Sequence, residues 1–267
     1  HSLFQYINRT ATPIGKLHLA NWFNAHLENK EAIDHRQEAI RELSTDLEYR
    51  QQIRLLGLLY KGKPADTTEI KEWAASPSYY RKRTLLRILP IAVTVINFLC
   101  ISLAILGIIS ANIAGGVFVS FVLFSTIFSK GITKLQTTYG EKLQILSTYA
   151  DQILLTEQKE MHSHILQELK ADLTSQNQTA SQAVRQLSKL MNALDQRSNL
   201  LMSTILNGLI FWELRQVMRI EKWKEIHASD LPRWIETIGE IDAYCSLATF
   251  AYNHPDYIYP CLLYTSP

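Results

Sequence analysis

From Ile88 to Ser129 the sequence contains no Asp, Glu, Lys, Arg or His, a run of 42 residues without a charge. That absence argues against an ordinary soluble helix, whose outer face carries polar or charged residues every turn or two, and leaves a membrane hairpin or, as the alternative, a hairpin buried in a soluble core. Cysteine is scarce too. Cys100 falls inside the uncharged run, Cys245 and Cys261 show no metal-ligand spacing and are expected on the reducing side of a membrane, and all three are expected as free thiols. Acidic and basic residues nearly balance, 27 Lys and Arg against 25 Asp and Glu, so the net charge of +2 lays no chain-wide footprint for nucleic acid. No G-x-x-x-x-G-K-[ST] loop occurs, so the usual phosphate cradle is missing. Strand-like alternation is also missing, and an all-α fold is expected.

Length decides how the uncharged run is used. As one helix it would extend about 60 Å, twice the roughly 30 Å hydrocarbon thickness of a bilayer. Two spans fit, over residues 89–109 and 113–132, with SANIAGG (residues 110–116) as the turn and Pro90 in the first turn of the first span. Arg81, Lys82, Arg83 and Arg87 precede the spans and Lys130 and Lys134 follow them, while the turn is uncharged. By the positive-inside rule both termini are expected in the cytoplasm, on the inner side of a bacterial inner membrane. Asn97, with Thr94 and Ser102 nearby, is the intramembrane polar residue, suited to hold the hairpin together or to pair two copies.

Elsewhere helical signals dominate. Thr12 before Pro13 reads as N-cap and N1, Asn29 as a second cap, and a third helix runs from about Asp46 to Leu59, ending at the KGKP break. A short helix over residues 68–75 leads through SPS towards the membrane. Beyond the hairpin, one or two helices cover residues 135–173, and SQNQTASQ (residues 175–182) breaks the pattern. Leu187, Met191, Leu194, Leu201, Ile205, Gly208 and Trp212 then recur at steps of three, four and seven, the seam of a lever helix that would span residues 179–227 if unbroken. Ser229 and Asp230 before Leu231 and Pro232 start a last helix, ending near His254–Asp256. The expected architecture is an elongated helical core and lever bundle with an inserted two-helix transmembrane hairpin. Its parts are residues 1–80, the hairpin with its basic flanks at 81–134, the lever and final helix at 135–262, and a tail at 263–267.

Candidate chemistry is thin. Met161, His162 and His164 contain a His-x-His step whose rings would diverge on a helix, and Glu157, Glu160 and Glu168 with Lys159 and Lys170 read as a solvated face. Trp212, Trp223 and Trp234 recur every eleven residues, better suited to core packing than to a ligand box. Arg215, Arg219, Lys222 and Lys224 make a basic row, but Glu213, Glu221 and Glu225 interleave them and weaken any pull on phosphate. No catalytic, metal or cofactor residues are expected.

Two stretches carry a family likeness. Residues 2–46 have a Ser-Leu-Phe start, Thr10, Thr12 and Gly15 in a Thr-x-Thr-x-x-Gly pattern, a tryptophan helix, and Ile33, Arg36 and Ile40 in an Ile-x-x-Arg-x-x-x-Ile step. Residues 238–262 place Asp242 ahead of small and apolar residues and a Tyr-x-x-Pro exit from Tyr257 to Pro260. Both resemble the core domain of MutS-type proteins, most closely a membrane-bound bacterial MutS-like protein. The resemblance implies that ATP and Mg belong to a further C-terminal ABC-type ATPase domain, and that this region would position and couple that domain. It also implies DNA mismatch repair and DNA binding for the whole protein, although no clamp-like basic insert is present. The partners expected are therefore the lipid bilayer, a second copy in a homodimer, and DNA as a further candidate. The alternative is a membrane-tethered helical interaction module with no DNA role.

Overall fold

The computed structural model describes residues 2–59, 67–81, 83–174, 179–195 and 200–260; within the helices, the side chains of residues 67–69, 129–131, 133–145, 147–148, 195 and 200–201 lie outside that description. The fold is all-α. In order the helices are α1 (Leu3–Ile7), α2 (Pro13–Asn24), α3 (Lys30–Thr45), α4 (Leu47–Leu59), α5 (Thr67–Ala75), α6 (Thr84–Ile105), α7 (Ala111–Gln158), α8 (His164–Asp172), α9 (Ala180–Asp195), α10 (Leu200–Ile210), α11 (Trp212–His227) and α12 (Leu231–Asn253). Among the described residues the only β pairing is an isolated bridge between Thr174 and Thr179.

The chain forms two compact units. The first comprises His1–Thr68, Ile145–Arg185 and Asp230–Pro267, the second Glu69–Gln144 and Gln186–Ser229. In the first unit α12 is the central helix and packs against α1, α2, α3, α4 and α8. Trp234, Ile238, Ile241, Tyr244 and Ala248 are buried on one side and Ile235, Asp242, Ala243 and Ser246 on the other, so burial extends most of the way round, as expected for a helix enclosed by others. Its approach to α2 is close because both helices carry glycine there. A Cβ on Gly239 would sit 2.7 Å from the Ile14 side chain, and one on Gly15 2.4 Å from Oδ2 of Asp242.

Local starts follow the side-chain chemistry. Thr12 Oγ1 accepts from the Gly15 N–H and Asn29 Oδ1 from the Glu31 N–H, which satisfies donors that the first helical turn leaves open. Ser2 and Gln5 form a reciprocal capping box at α1.

The second unit corrects three expectations. First, SANIAGG is not the turn. After α6 ends, Gly107 adopts φ 75°, its N–H bonds the Ala104 carbonyl, and the Ile108 N–H reaches back to Leu103. This is a glycine-terminated helix end, and from Ala111 onward the stretch belongs to α7. A Cβ on either of the tandem glycines, Gly115 or Gly116, would meet no heavy atom within 4 Å, so the helix absorbs them without a packing role.

Second, Pro90 lies well inside α6 rather than in its first turn, because the helix begins at Thr84. Third, the lever helix is not continuous over its described residues. Phe211 takes φ 51° and ψ 51°, the left-handed region that a bulky side chain resists, and separates α10 from α11.

Candidate functional site

Two polar clusters organise the units. In the first, Asp242 sits on α12, 2% exposed, and clasps the N-terminal loop. Its carboxylate accepts from the Ala11 N–H at 3.0 Å, the Thr12 N–H at 2.8 Å and the Thr12 hydroxyl at 2.7 Å. Burial pushes the Asp242 carboxyl above its ordinary range, and the Thr12 and Ala11 donors pull the other way. Gly15 is required beneath it, since any side chain there would collide with the carboxylate. The residues carrying the family likeness at the two ends of the sequence, Thr12, Gly15 and Asp242, thus form one contact. Ser246, one turn further along α12, adds to it by accepting from the Arg9 N–H and donating to the Ile7 carbonyl.

Other links in this unit had no sequence signal. Arg50, 3% exposed, donates to Thr249 Oγ1 and the Ser44 carbonyl, and its guanidinium lies over the Tyr252 ring. Glu42 accepts from the backbone N–H groups of His162 and Ser163, ahead of α8. His162 therefore precedes the helix rather than sharing it with His164, whose ring stacks on His35 at 4.8 Å. Glu157 accepts from the N–H and hydroxyl of Ser181, and Lys159 pairs with Asp46, so the expected solvated face is partly tied down. Cys245 is free and buried, and burial raises its thiol well above the ordinary range.

The second cluster lies around α6, α7, α10 and α11. α6 and the first part of α7 are long and apolar enough to cross a membrane. Large apolar side chains such as Ile91, Phe98, Leu99, Val119, Leu123 and Ile127 stand exposed on them. α6 buries only Pro90, Val93 and Asn97, which lie on one face. Asn97 is 2% exposed, and its Nδ2 donates to the carbonyls of Gly208 at 2.9 Å and Leu209 at 3.2 Å. These carbonyls stand at the end of α10, where the Phe211 break interrupts the helical ladder. On the far side of the break, Asn207 Oδ1 accepts from the Glu213 N–H.

Gly208 permits the approach, since a Cβ there would lie 2.5 Å from Phe118 and from Val122. The Phe211 ring itself is enclosed by Phe121, Phe124 and Phe128 of α7. Arg215 donates to the Pro90 carbonyl and to Thr94 Oγ1.

Below this level Glu221 accepts from three successive N–H groups, of Tyr79, Tyr80 and Arg81, at 2.8, 3.0 and 2.6 Å. This carboxylate fixes the segment leading into α6 onto α11. Lys224 lies over the Trp73 ring and donates to Ser76 Oγ; burial lowers its pKa from the usual lysine range. Of the basic row on α11, only Arg219 and Lys222 are exposed.

The flanking residues are placed as follows. Arg81 pairs with Glu225 at 2.6 Å, and the Arg83 guanidinium covers Tyr79. Arg87 lies in the first turns of α6; Lys130 and Lys134 lie on α7 with their side chains outside the description, and Lys82 is outside the described residues altogether. In the expected lever seam Leu187, Met191 and Leu194 are buried, but Ile205 is 47% exposed and Trp212 only half-buried. Leu201 is a residue of α10 whose side chain is not described. Trp223 and Trp234 are buried, in different units.

The architecture and the clasp define a class, an all-α core domain held shut between its N-terminal loop and its last long helix. The MutS domain III family model matches residues 1–248, and the chain belongs to that family. MutS domain III is a non-catalytic core domain, and it ties this chain to a MutS-like role related to mismatch repair. No curated protein and no solved structure matches the chain.

Proposed function

We propose that this chain is the membrane-anchored core and lever segment of a MutS-like protein. α6 and the N-terminal part of α7 cross the bacterial inner membrane as a hairpin, and both ends of the chain lie in the cytoplasm. The helical units position a coupled ABC-type ATPase at the inner face and pass its nucleotide state through packed helices. The observation carrying the anchor is that none of the apolar window Ala111–Phe128 is buried. A soluble core helix of that composition would be enclosed, and large exposed apolar patches mark contact with lipid or protein. The exposed Tyr79 beside Arg81, Arg83 and Arg87 supplies the aromatic and basic flank usual at a membrane surface.

Alkaline carbonate extraction tests the anchor. The chain is expected to stay with the membrane, and reporters placed before Arg81 and after Lys134 are expected to face the cytoplasm. Release by carbonate, or a reporter on the far side, overturns it.

The arrangement of α11 favours a second reading for nucleic acid, a tethered interaction module with no DNA role. Arg215 is engaged with Pro90 and Thr94, Lys224 with Trp73 and Ser76, so half of the basic row is held away from phosphate. DNA binding that weakens steeply with salt and falls with Arg219→Ala and Lys222→Ala together would restore the DNA role.

A further inference from the structure

The uncharged hairpin is accompanied by a second, shorter uncharged run, from Ser198 to Trp212, between Arg197 and Glu213. An apolar stretch of that size is too short to span a bilayer and fits a buried core helix or a re-entrant segment. Burial separates the two. α10 is not a core helix, because Met202 is 53% and Ile205 47% exposed.

Its inner face is fixed to the hairpin instead. Gly208 lies against Phe118 and Val122 of α7, and Asn97 of α6 takes the Gly208 and Leu209 carbonyls. Asn97 stands eight residues before the end of α6, about 12 Å along the axis. Phe118 and Val122 stand seven and eleven residues after the start of α7, about 10 to 16 Å along it. All three helices therefore meet at one level, near the middle of a hydrocarbon layer of about 30 Å.

Broken backbone at such a depth persists only where protein satisfies it, because lipid offers no hydrogen bond. That describes the corner at Phe211. Asn97 occupies the freed carbonyls, Asn207 takes the Glu213 N–H, and aromatic rings close around Phe211. The two charged side chains just past the corner also turn to polar groups. Ser203 Oγ donates to Glu213, and Arg215 donates to Pro90 and Thr94. A small residue at the closest approach is likewise usual for helices that pack within a membrane.

We propose that α10 is a third membrane-inserted element, a half-length helix that ends at mid-depth in the Phe211 corner and presents Met202 and Ile205 to lipid hydrocarbon. This rests on the reading of α6 and α7 as membrane spans. It also gives the exposed Ile205 a partner that an aqueous lever lacks.

A photoreactive diazirine amino acid placed singly at Ile205, Met202, Ile101 and Lys222 of the chain in phosphatidylcholine vesicles tests it. Ile101 is an exposed position on α6 and Lys222 an exposed position on α11. Lipid adducts at Ile205, Met202 and Ile101, with loss of lipid adducts at Lys222, are expected. Lipid adducts at Ile101 with water adducts at both α10 positions overturn the inference and leave the hairpin standing. Water adducts at all four positions overturn the hairpin as well. Crosslinks from the α10 positions to a second copy of the chain would show that protein covers this face, and would also overturn it.

Discussion

Asp242 and Asn97 do the same task in the two units under opposite conditions. Each is a buried polar side chain on a long helix, and each satisfies backbone groups that no helix can reach. Asp242 serves donors with a carboxylate inside a core whose apolar residues point inward. Asn97 serves acceptors with a neutral amide, on a helix whose apolar residues point outward. A charge is tolerated in the first unit because three donors converge on it. In the second, a neutral amide suffices for two carbonyls, and on the proposed membrane reading Asn97 brings no charge of its own into hydrocarbon.

The contrast is open to direct measurement. The largest effect should come from Asp242→Ala, which strands the Ala11 and Thr12 donors and should cost about 3 to 5 kcal/mol in urea unfolding, given roughly 1 to 3 kcal/mol for each buried donor left unpaired. Gly15→Ala should approach it, because its Cβ would occupy the position of the carboxylate.

Leu194→Ala comes next, at about 3 kcal/mol for truncating a buried leucine, while Ile205→Ala should change stability by about 0.5 kcal/mol or less. Equal effects of the two on thermal unfolding in detergent would erase the boundary between protein-facing and outward-facing parts of the seam.

If α6 lies in a membrane as proposed, Asn97→Ala should cost only about 1 kcal/mol, because polar contacts between membrane helices average less than those in a core. A loss as large as that of Asp242→Ala would make the two units alike.

The smallest effect is a dependence on pH. Burial pushes Asp46 up, but Lys159 and the Tyr49 N–H outweigh it and hold its carboxyl below 3.8. Its contribution is therefore present above about pH 4 and is lost as acid carries the pH through the folded value. Asp242 runs the other way: raised by burial, its contribution is greatest in acid and is lost as pH rises through the folded value. Asp46→Asn should flatten the acid limb of the stability curve by about 0.5 kcal/mol or less, since the pair is partly exposed.

Much of the fold was legible because the signals were local. Thr12 with Pro13, Asn29, and Leu231 with Pro232 start helices through contacts or backbone limits that lie within a few residues. The missing charge from Ile88 to Ser129 marked the hairpin for a similar reason, since composition alone distinguishes a chain that lipid could solvate. The turn was misplaced because a tandem glycine looks like a stronger break than a single one. Gly107 prevailed because a residue with φ above zero was needed just past the end of α6, whereas Gly115 and Gly116 were required to adopt nothing unusual.

By itself the sequence determined an all-α chain, the starts of α2, α3 and α12, the long uncharged run and, through the family likeness, the residues of the clasp. Only the tertiary structure decided that Asp242 closes on Thr12, that Glu221 binds the segment before α6, and that the lever breaks at Phe211. The physical reason is range. A cap is satisfied within one turn, but a buried carboxylate or a broken ladder finds its partner more than a hundred residues away, and no local pattern records which residue will be there.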